Sequence, residues 1–259
     1  MRTILLLLCL LPAWCFAEQR IEVWTYHLSP PFVVEGRKGL SAAFVELLNE
    51  EPANRQRFRF ELIELPRKRL DLRLADNRPG VLLWVAPHFL SPEQAARGQW
   101  TRPLLGDQQN VISRSQQPID YRGPESLHGL AFGGLLGHLY AGLDADVALG
   151  RIRREDVASD LQNLEKVSSG RVDAALVPRS TLLYYRKAKR FDGLYIAPTA
   201  LYSFRRRLLI TPSLGAPATD YVRQVVEKLP RNPRWLALLD RYGLESLGVY
   251  SGKGSTAAD

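Results

Sequence analysis

The chain has 259 residues, of which 46% are hydrophobic and 24% charged, with a formal net charge of +8 at pH 7. This balance is typical of a folded protein with a sizeable core, and it excludes disordered and fibrous chains. Both cysteines, Cys9 and Cys15, lie near the N-terminus. If that segment is removed, disulfides, thiolate nucleophiles and cysteine-based metal sites are excluded from the remaining chain.

The first element predicted along the chain is a secretory signal peptide. Arg2 gives it a positive start, residues 4–11 are apolar, and Cys15 and Ala17 stand at the two positions that a signal peptidase reads. The apolar segment is too short for a membrane anchor, which needs about 20 residues. We therefore predict a signal peptide over residues 1–17 and a mature protein in the bacterial periplasm.

Predicted strands and helices alternate in the next part of the chain. Residues 21–26 alternate apolar and polar side chains like a strand, and residues 58–62 do the same. Ser41 is expected to cap a helix between them, and a short helix follows Pro66. The apolar run at residues 81–85 is typical of a central parallel strand. This order predicts an α/β sheet.

The second half of the chain repeats this order. Strands are predicted at residues 111–112, 130–132, 172–177 and 207–210. One helix is predicted to start near Gly137-His138, a second to end at Gly170, and a third to be capped by Ser180. Two amphipathic helices close the chain. Residues 251–259 are small and polar, which predicts a flexible tail.

Six short motifs follow one another along the mature chain. They are, in order, Tyr26-His27-Leu28-Ser29-Pro30-Pro31-Phe32 followed by Gly39-Leu40; Leu65-Pro66-Arg67-Lys68-Arg69; Trp100-Thr101-Arg102-Pro103; Leu127-His128-Gly129 with Gly133 and Gly137; Gly170-Arg171-Val172-Asp173-Ala174; and Trp235 with Arg241-Tyr242-Gly243-Leu244. In order and spacing they resemble a divergent member of family 3 of the periplasmic solute-binding proteins, the amino-acid-transporter type. The resemblance spans nearly the whole mature chain.

The resemblance implies the type 2 periplasmic binding protein fold, in which two α/β lobes close over a ligand by hinge motion. Each lobe would be a mainly parallel sheet flanked by helices. Lobe 1 would be discontinuous, with residues 18–106 and 203–250, and lobe 2 would hold residues 107–202. The general rule for open α/β sheets agrees, because their ligands lie at the carboxyl ends of strands.

The two charged residues that grip an α-amino acid in the resembling family are missing at the matched positions. The family places an Arg six positions before the aromatic residue of the Trp100 motif, and this chain has Gln94 there. It places an Asp five residues after the Asp of the Gly-Arg-x-Asp-Ala motif, and this chain has Pro178. We therefore expect a small anionic or aromatic ligand rather than a standard α-amino acid.

Candidate ligand-binding residues are aromatic, cationic or close to the predicted cleft. The aromatic rings would stack on a flat ligand, the arginines would bind a carboxylate or phosphate, and backbone N–H groups at the start of the predicted helix would bind an anion. The set is Tyr26, Phe32, Arg69, Trp84, His88, Arg97, Gly137, His138 and Tyr140. The alternatives are that Phe32 and Trp84 are core residues and that Arg69 and Arg97 are solvated.

Other charged and metal-ligating groups receive structural interpretations. His27, His88 and His138 are not spaced as neighbours on one element, so we expect hydrogen-bonding histidines, no metal site and no cofactor. The cluster of residues 205–207, Arg-Arg-Arg, is expected to be a solvated guard of a strand edge. Scattered arginines and a periplasmic location argue against nucleic-acid binding.

The leading functional hypothesis is a monomeric, non-catalytic protein that binds a small solute and delivers it to a membrane permease. The sequence contains no Gly-x-Ser-x-Gly or His-Glu-x-x-His motif. One alternative is an enzyme on the same fold, similar to periplasmic cyclohexadienyl dehydratase, which would need a buried general acid. The matched segments offer no such Glu, since Glu35 falls in a predicted loop. Another alternative is a sensory partner of a membrane receptor.

Overall fold

The computed structural model of the protein describes residues 18–35 and 38–249. The predicted signal peptide at residues 1–17 and the predicted tail at residues 251–259 lie outside the described residues. Among the helices in the described ranges, none is long and apolar enough to cross a bilayer.

The described residues form nine strands and eight α-helices. The strands are β1 (Gln19–Thr25), β2 (Phe58–Glu64), β3 (Gly80–Val85), β4 (Gln99–Trp100), β5 (Leu105–Arg114), β6 (Ala131–Leu135), β7 (Arg153–Val157), β8 (Ala174–Pro178) and β9 (Leu194–Ile210). The helices are α1 (Leu40–Glu50), α2 (Arg67–Ala75), α3 (Pro92–Arg97), α4 (Asp144–Ala148), α5 (Asp160–Ser168), α6 (Arg179–Lys187), α7 (Ala216–Lys228) and α8 (Pro233–Tyr242).

The strands form two mainly parallel groups. The sheet order is β2-β1-β3-β9-β5-β8-β6-β7, and β4 also pairs with β9. β1 pairs in parallel with β2 and β3, and β6 pairs in parallel with β7 and β8. Antiparallel pairing of β5 with β9 joins the two groups. This arrangement confirms the predicted α/β class with two lobes.

Two long strands carry the chain between the lobes. Residues 194–206 of β9 pair with β5, and residues 207–210 pair with β3. β9 therefore belongs to both parallel groups, and β5 runs beside it. The predicted lobe bounds at residues 106/107 and 202/203 fall within β5 and β9, and these bounds stay a prediction.

Separate apolar clusters lie on the two sides of these crossings. In lobe 1, Trp84 is fully buried, with its ring centroid 5.4 Å from that of Phe44 and 6.3 Å from that of Trp235. In lobe 2, Phe132 and Leu176 are fully buried in a different cluster. Every residue of β3 is buried, as its continuous apolar sequence predicts.

Helix α6 connects the lobes on one side of the molecule. The Thr181 hydroxyl donates a hydrogen bond to the Pro30 carbonyl oxygen at 2.8 Å. Farther along the same helix, the Lys187 ammonium lies 2.8 Å from a carboxylate oxygen of Asp240 on α8. The first contact brings the β1–α1 loop of lobe 1 against the first turn of α6, and the second joins the end of α6 to α8.

The predicted helix caps at Ser41 and Ser180 are wrong. Gly39 occupies the cap position of α1 with a φ of 126°, and a Cβ there would lie 2.6 Å from the Phe32 carbonyl oxygen. The Ser41 hydroxyl instead accepts a hydrogen bond from the buried indole of Trp84 at 2.9 Å. Ser180 lies within the first turn of α6, after the cap residue Pro178. Both hydroxyls instead form hydrogen bonds with side chains that are distant in the sequence.

Candidate functional site

Loops that follow parallel strands of both lobes come close together in one region between the lobes, which we call the cleft. The loop after β1 carries Tyr26 and His27 from lobe 1, and the loop after β6 carries His138 from lobe 2. The two histidines are close enough that the positive charge of His138 lowers the pKa of His27. The cleft therefore lies where the topology of open α/β sheets places a ligand.

Arg206 on β9 is the buried cation at the centre of this region. It is 2% exposed, and its Nε donates to the Asp107 carboxylate at 2.7 Å. Its Nη1 donates to the Trp84 carbonyl oxygen at 3.1 Å, and its guanidinium carbon lies 4.5 Å from the ring centroid of Phe32. These contacts stabilise a charge that water cannot solvate.

Asp107 on β5 is the counter-ion of Arg206 and has further donors. Its carboxylate accepts the Ser180 hydroxyl at 2.7 Å and the Ser180 backbone N–H at 3.1 Å. The backbone N–H of Gln108 also donates to it at 2.9 Å. The pair ties the two crossing strands to the start of α6. The expectation that residues 205–207 guard a strand edge is therefore wrong for Arg206, because β9 lies between β3 and β5.

The histidines of the cleft have lowered pKa values. Burial and then the positive charge of Arg206 hold the pKa of His27 well below its usual range, and its Nε2 lies 3.4 Å from Arg206 Nη1. Desolvation, followed by the charges of Arg154 and Arg67, lowers the pKa of His138. Among the described residues, no group of three or more His, Cys, Asp or Glu side chains is arranged to hold a metal ion.

Tyr26 and Arg67 form the lobe 1 wall. The guanidinium carbon of Arg67 lies 5.3 Å from the Tyr26 ring centroid, and its Nε donates to Asp71 at 2.9 Å. Burial raises the pKa of Tyr26 to about 12. Arg69 is exposed, and two residues of an α-helix turn the side chain by about 200°. Arg67, rather than the predicted Arg69, therefore contacts the aromatic residue of the cleft.

Arg154 on β7 holds the loop after β6. Its Nη2 donates to the carbonyl oxygens of Leu135 at 3.0 Å and His138 at 2.8 Å, and its Nε donates to Asp156 at 2.7 Å. The same guanidinium lies 5.1 Å from the ring centroid of the buried Tyr140, whose hydroxyl oxygen accepts the Leu135 N–H at 3.0 Å. Burial raises the pKa of Tyr140. This network fixes the position of His138.

The helix predicted to start near Gly137-His138 is wrong. The backbone N–H of His138 donates to the Leu135 carbonyl oxygen at 3.0 Å, which makes a turn, and α4 begins only at Asp144. Gly137 has a φ of 76°, a left-handed backbone conformation that turns the chain after β6 and is unfavourable for residues other than glycine. The N–H groups expected to bind an anion at a helix start are therefore not arranged in that way.

Asp160 begins α5 and is buried between the lobes. It is 3% exposed, and its Oδ1 has no hydrogen-bond partner among the described residues. Burial raises its pKa to about 6, while a hydrogen bond from the Ser29 side chain of lobe 1 and the charge of Arg206 lower it. The sequence analysis missed Asp160, Arg154, Arg206 and Arg67. The only sequence signal for Asp160 is the capping residue Ser159 before it.

The remaining candidates divide between cleft, core and outer surface. His88 follows β3 and is exposed, with its ring centroid 6.1 Å from that of Phe204. Phe32 and Trp84 pack in the lobe 1 core, 5.5 Å apart between ring centroids, which agrees with the alternative interpretation of both. Arg97 is exposed on α3, where it pairs with Glu93 and lines a cavity of about 220 Å³ between α2 and α3.

Structural comparison agrees with this architecture. The ligand-binding core of GluR0 from Nostoc punctiforme, in complex with L-glutamate, is 16% identical, with a TM-score of 0.66 over 86% of this chain and 98% of that chain. A histidine kinase sensor domain with similarity to periplasmic binding proteins is 16% identical, with a TM-score of 0.63 over 87% and 96%. This chain has the periplasmic binding protein fold.

A third structure of the periplasmic binding fold extends the comparison. The L-cystine solute receptor of Neisseria gonorrhoeae, in its unliganded open conformation, is 16% identical, with a TM-score of 0.61 over 90% of this chain and 97% of that chain. No protein-family model matches the sequence, and no curated protein matches it. At these identities the likeness shows the fold that the sequence motifs predict.

Proposed function

We propose that this chain is a solute-binding protein of the periplasm, a divergent relative of family 3, which takes a small solute into the cleft between its lobes and releases it unchanged. The observation that carries the proposal is the cleft itself. Polar and aromatic side chains of both lobes converge at the carboxyl ends of their strands, and β5 and β9 connect the lobes as a hinge requires.

The recipient of the solute is proposed to be a membrane permease. The neighbouring L-cystine receptor supports a solute-receptor role for this fold, and the histidine kinase sensor domain supports use of the same fold in signalling. A membrane receptor is therefore the second possible recipient. Binding of the solute-loaded chain to permease-containing or receptor-containing vesicles distinguishes them.

We also propose that the solute is not held as a standard α-amino acid. Gln94 is used by the exposed cap of α3, where its backbone N–H donates to Ser91 Oγ and its side-chain oxygen accepts the Ser91 N–H, both at 3.2 Å. Pro178 offers no side-chain acceptor. Neither position matched to the family anchors supplies a charge to the cleft.

The test is a thermal-shift screen over a library of small solutes, followed by calorimetry. A solute at 100 times its dissociation constant is expected to stabilise the protein by about 2.7 kcal/mol, with one molecule bound and recovered unchanged. Tyr26→Ala removes a ring of the cleft and is expected to weaken binding at least about tenfold, whereas Arg241→Ala, at the exposed end of α8, leaves the affinity unchanged. A screen without any stabilising solute contradicts the proposal.

An enzyme on the same fold is the second candidate, and Asp160 is the observation that favours it. A buried carboxyl whose pKa is raised to about 6 is suited to general acid catalysis. Incubation of the protein with each stabilising solute, followed by mass spectrometry, separates the two functions. Recovery of the unaltered solute supports binding, and a product that Asp160→Asn no longer forms supports catalysis.

A further inference from the structure

Asp160 lies at the edge of lobe 2 that faces lobe 1. It is the first residue of α5, which follows β7 at the carboxyl end of that strand. The Ser29 side chain of the opposite lobe hydrogen-bonds to its carboxyl group. The carboxyl group is therefore at the seam that forms when the lobes come together, and its 3% exposure depends on both lobes.

Two acceptor oxygens on α5 have no donor among the described residues. They are Oδ1 of Asp160 and Oδ1 of Asn163, one turn farther along the same face of α5. Asn163 is fully buried, and its amide nitrogen donates to the Gly134 carbonyl oxygen at the end of β6. Buried acceptors without donors are costly, and a buried carboxylate is costlier than an amide.

The charges around Asp160 do not compensate it. Arg206 lowers its pKa, but that guanidinium is already bound to Asp107, whose own charge acts in the opposite direction. The other arginines of the cleft have acidic partners as well: Arg154 lies 2.7 Å from Asp156 and Arg67 lies 2.9 Å from Asp71. Among these charged groups of the cleft, the one without a partner of opposite charge is the negatively charged carboxylate of Asp160.

We propose that Asp160 forms a subsite for a cationic nitrogen of the solute, an ammonium or guanidinium group that donates hydrogen bonds to the Asp160 carboxylate. The inference rests on the proposed function and names the chemical class of its ligand. It also revises the expected anionic ligand, because that expectation depended on Arg69 and Arg97, which are exposed.

The subsite couples solute binding to closure of the lobes. Closing the empty cleft buries the carboxylate against Ser29 without a counter-charge, and this opposes closure. A bound cation supplies the missing charge and up to three donors, so the solute shifts the equilibrium further toward the closed state. Asp160 would thus take the place of the anchor that is missing at Pro178, from a different element of lobe 2.

The test uses pairs of compounds that differ in one ammonium group. The pairs are L-glutamate and glutarate, L-phenylalanine and phenylpropanoate, and tyramine and tyrosol. Thermal shift of the full mature chain is expected to respond to at least one ammonium compound and not to its partner. Asp160→Asn is expected to weaken binding of that compound at least about tenfold, because a charge-assisted hydrogen bond is lost. Asp192→Asn, on the exposed surface, serves as the matched control.

The pH dependence gives a second readout. Between pH 7 and pH 5 the ammonium group stays charged while the Asp160 carboxyl takes up a proton, so the affinity of the wild-type protein is expected to fall. His27 and His138 also face the cleft, and burial lowers the pKa of each. The difference between wild type and Asp160→Asn separates the carboxyl from these histidines, and this difference is expected to narrow toward pH 5.

Each outcome decides the proposal. Equal stabilisation by the ammonium compounds and their partners overturns the subsite, and so does unchanged affinity in a folded Asp160→Asn variant. If glutarate or another partner compound binds and Tyr26→Ala abolishes that binding, solute binding in the cleft stands while the cationic subsite fails. If neither the pairs nor the wider solute library stabilises the protein, the subsite and the proposed function fail together.

Discussion

Asp107 and Asp160 are both buried aspartates in the same predicted lobe, and they have opposite surroundings. Asp107 is 1% exposed and accepts hydrogen bonds from the Arg206 guanidinium and from both donors of Ser180. Asp160 is 3% exposed, has one oxygen without a donor, and has a pKa raised to about 6. The first carboxylate is compensated by its partners, and the second is the one that we propose binds a ligand.

The difference follows from where each residue lies. Asp107 is on β5 at the crossing between the lobes, where β9 and the start of α6 pack against it. Asp160 meets Ser29 of the opposite lobe, in the loop after β1, so we expect its surroundings to change on closure. A buried charge with its partners stabilises one structure, whereas one without them makes the closed state depend on what is bound.

The largest expected effect concerns Asp107, the aspartate whose charge is balanced by Arg206. Arg206→Met leaves Asp107 buried without its counter-ion and is expected to reduce the free energy of unfolding by about 3–5 kcal/mol, measured by chemical denaturation at pH 7. Lys187→Met breaks the exposed pair with Asp240 and is expected to cost far less, because water screens that pair. A loss below that of Lys187→Met would show that the buried pair does not hold the crossing strands.

The second prediction concerns Asp160, whose charge has no such partner, and is tested by the pH dependence of the free energy of unfolding. The pKa of Asp160 is raised in the folded state from its ordinary 3.8 to about 6, so its contribution to stability is present at low pH and is lost as pH rises through about 6. The difference corresponds to about 3 kcal/mol. Asp160→Asn is expected to remove this loss between pH 4 and pH 7, and Asp192→Asn is expected to retain it. A variant that follows the wild-type curve would mean that Asp160 is solvated.

The smallest expected effect concerns an arginine that lies outside the comparison. Arg97 is exposed and pairs with Glu93 four residues earlier on α3. Arg97→Ala is therefore expected to change the free energy of unfolding by at most about 0.5 kcal/mol and to leave solute affinity unchanged in calorimetry. A clear loss of affinity would move the ligand to the cavity between α2 and α3 and away from the cleft.

Particular residues show where prediction from sequence succeeded. The apolar run of β3 predicted a buried central strand, and every residue of it is buried. The order of short motifs predicted the two-lobed fold, although each motif alone was weak. Tyr26, His27 and His138 follow strands, as expected, and the structure brings the loops that carry them together; their role in ligand binding stays a prediction.

The failures have a common cause. Ser41 and Ser180 match the local pattern of a helix cap, but their hydroxyls bond to Trp84 and Asp107, which are distant in sequence. Arg206 stands in a run of three arginines that looks like a solvated edge, yet β9 lies inside the sheet. In each case a partner far along the chain decided the role of the residue.

The sequence by itself determined the alternation of strands and helices, which depends on local periodicity. The two-lobed fold was implied by the resemblance of its ordered motifs to the solute-binding family. Only the tertiary structure decided which charges are compensated. Asp107 and Arg206 are 99 residues apart in the chain, and Asp160 meets Ser29 across the seam of two lobes. Burial makes such pairing decisive, because an ion removed from water is stable only beside the groups that replace the water.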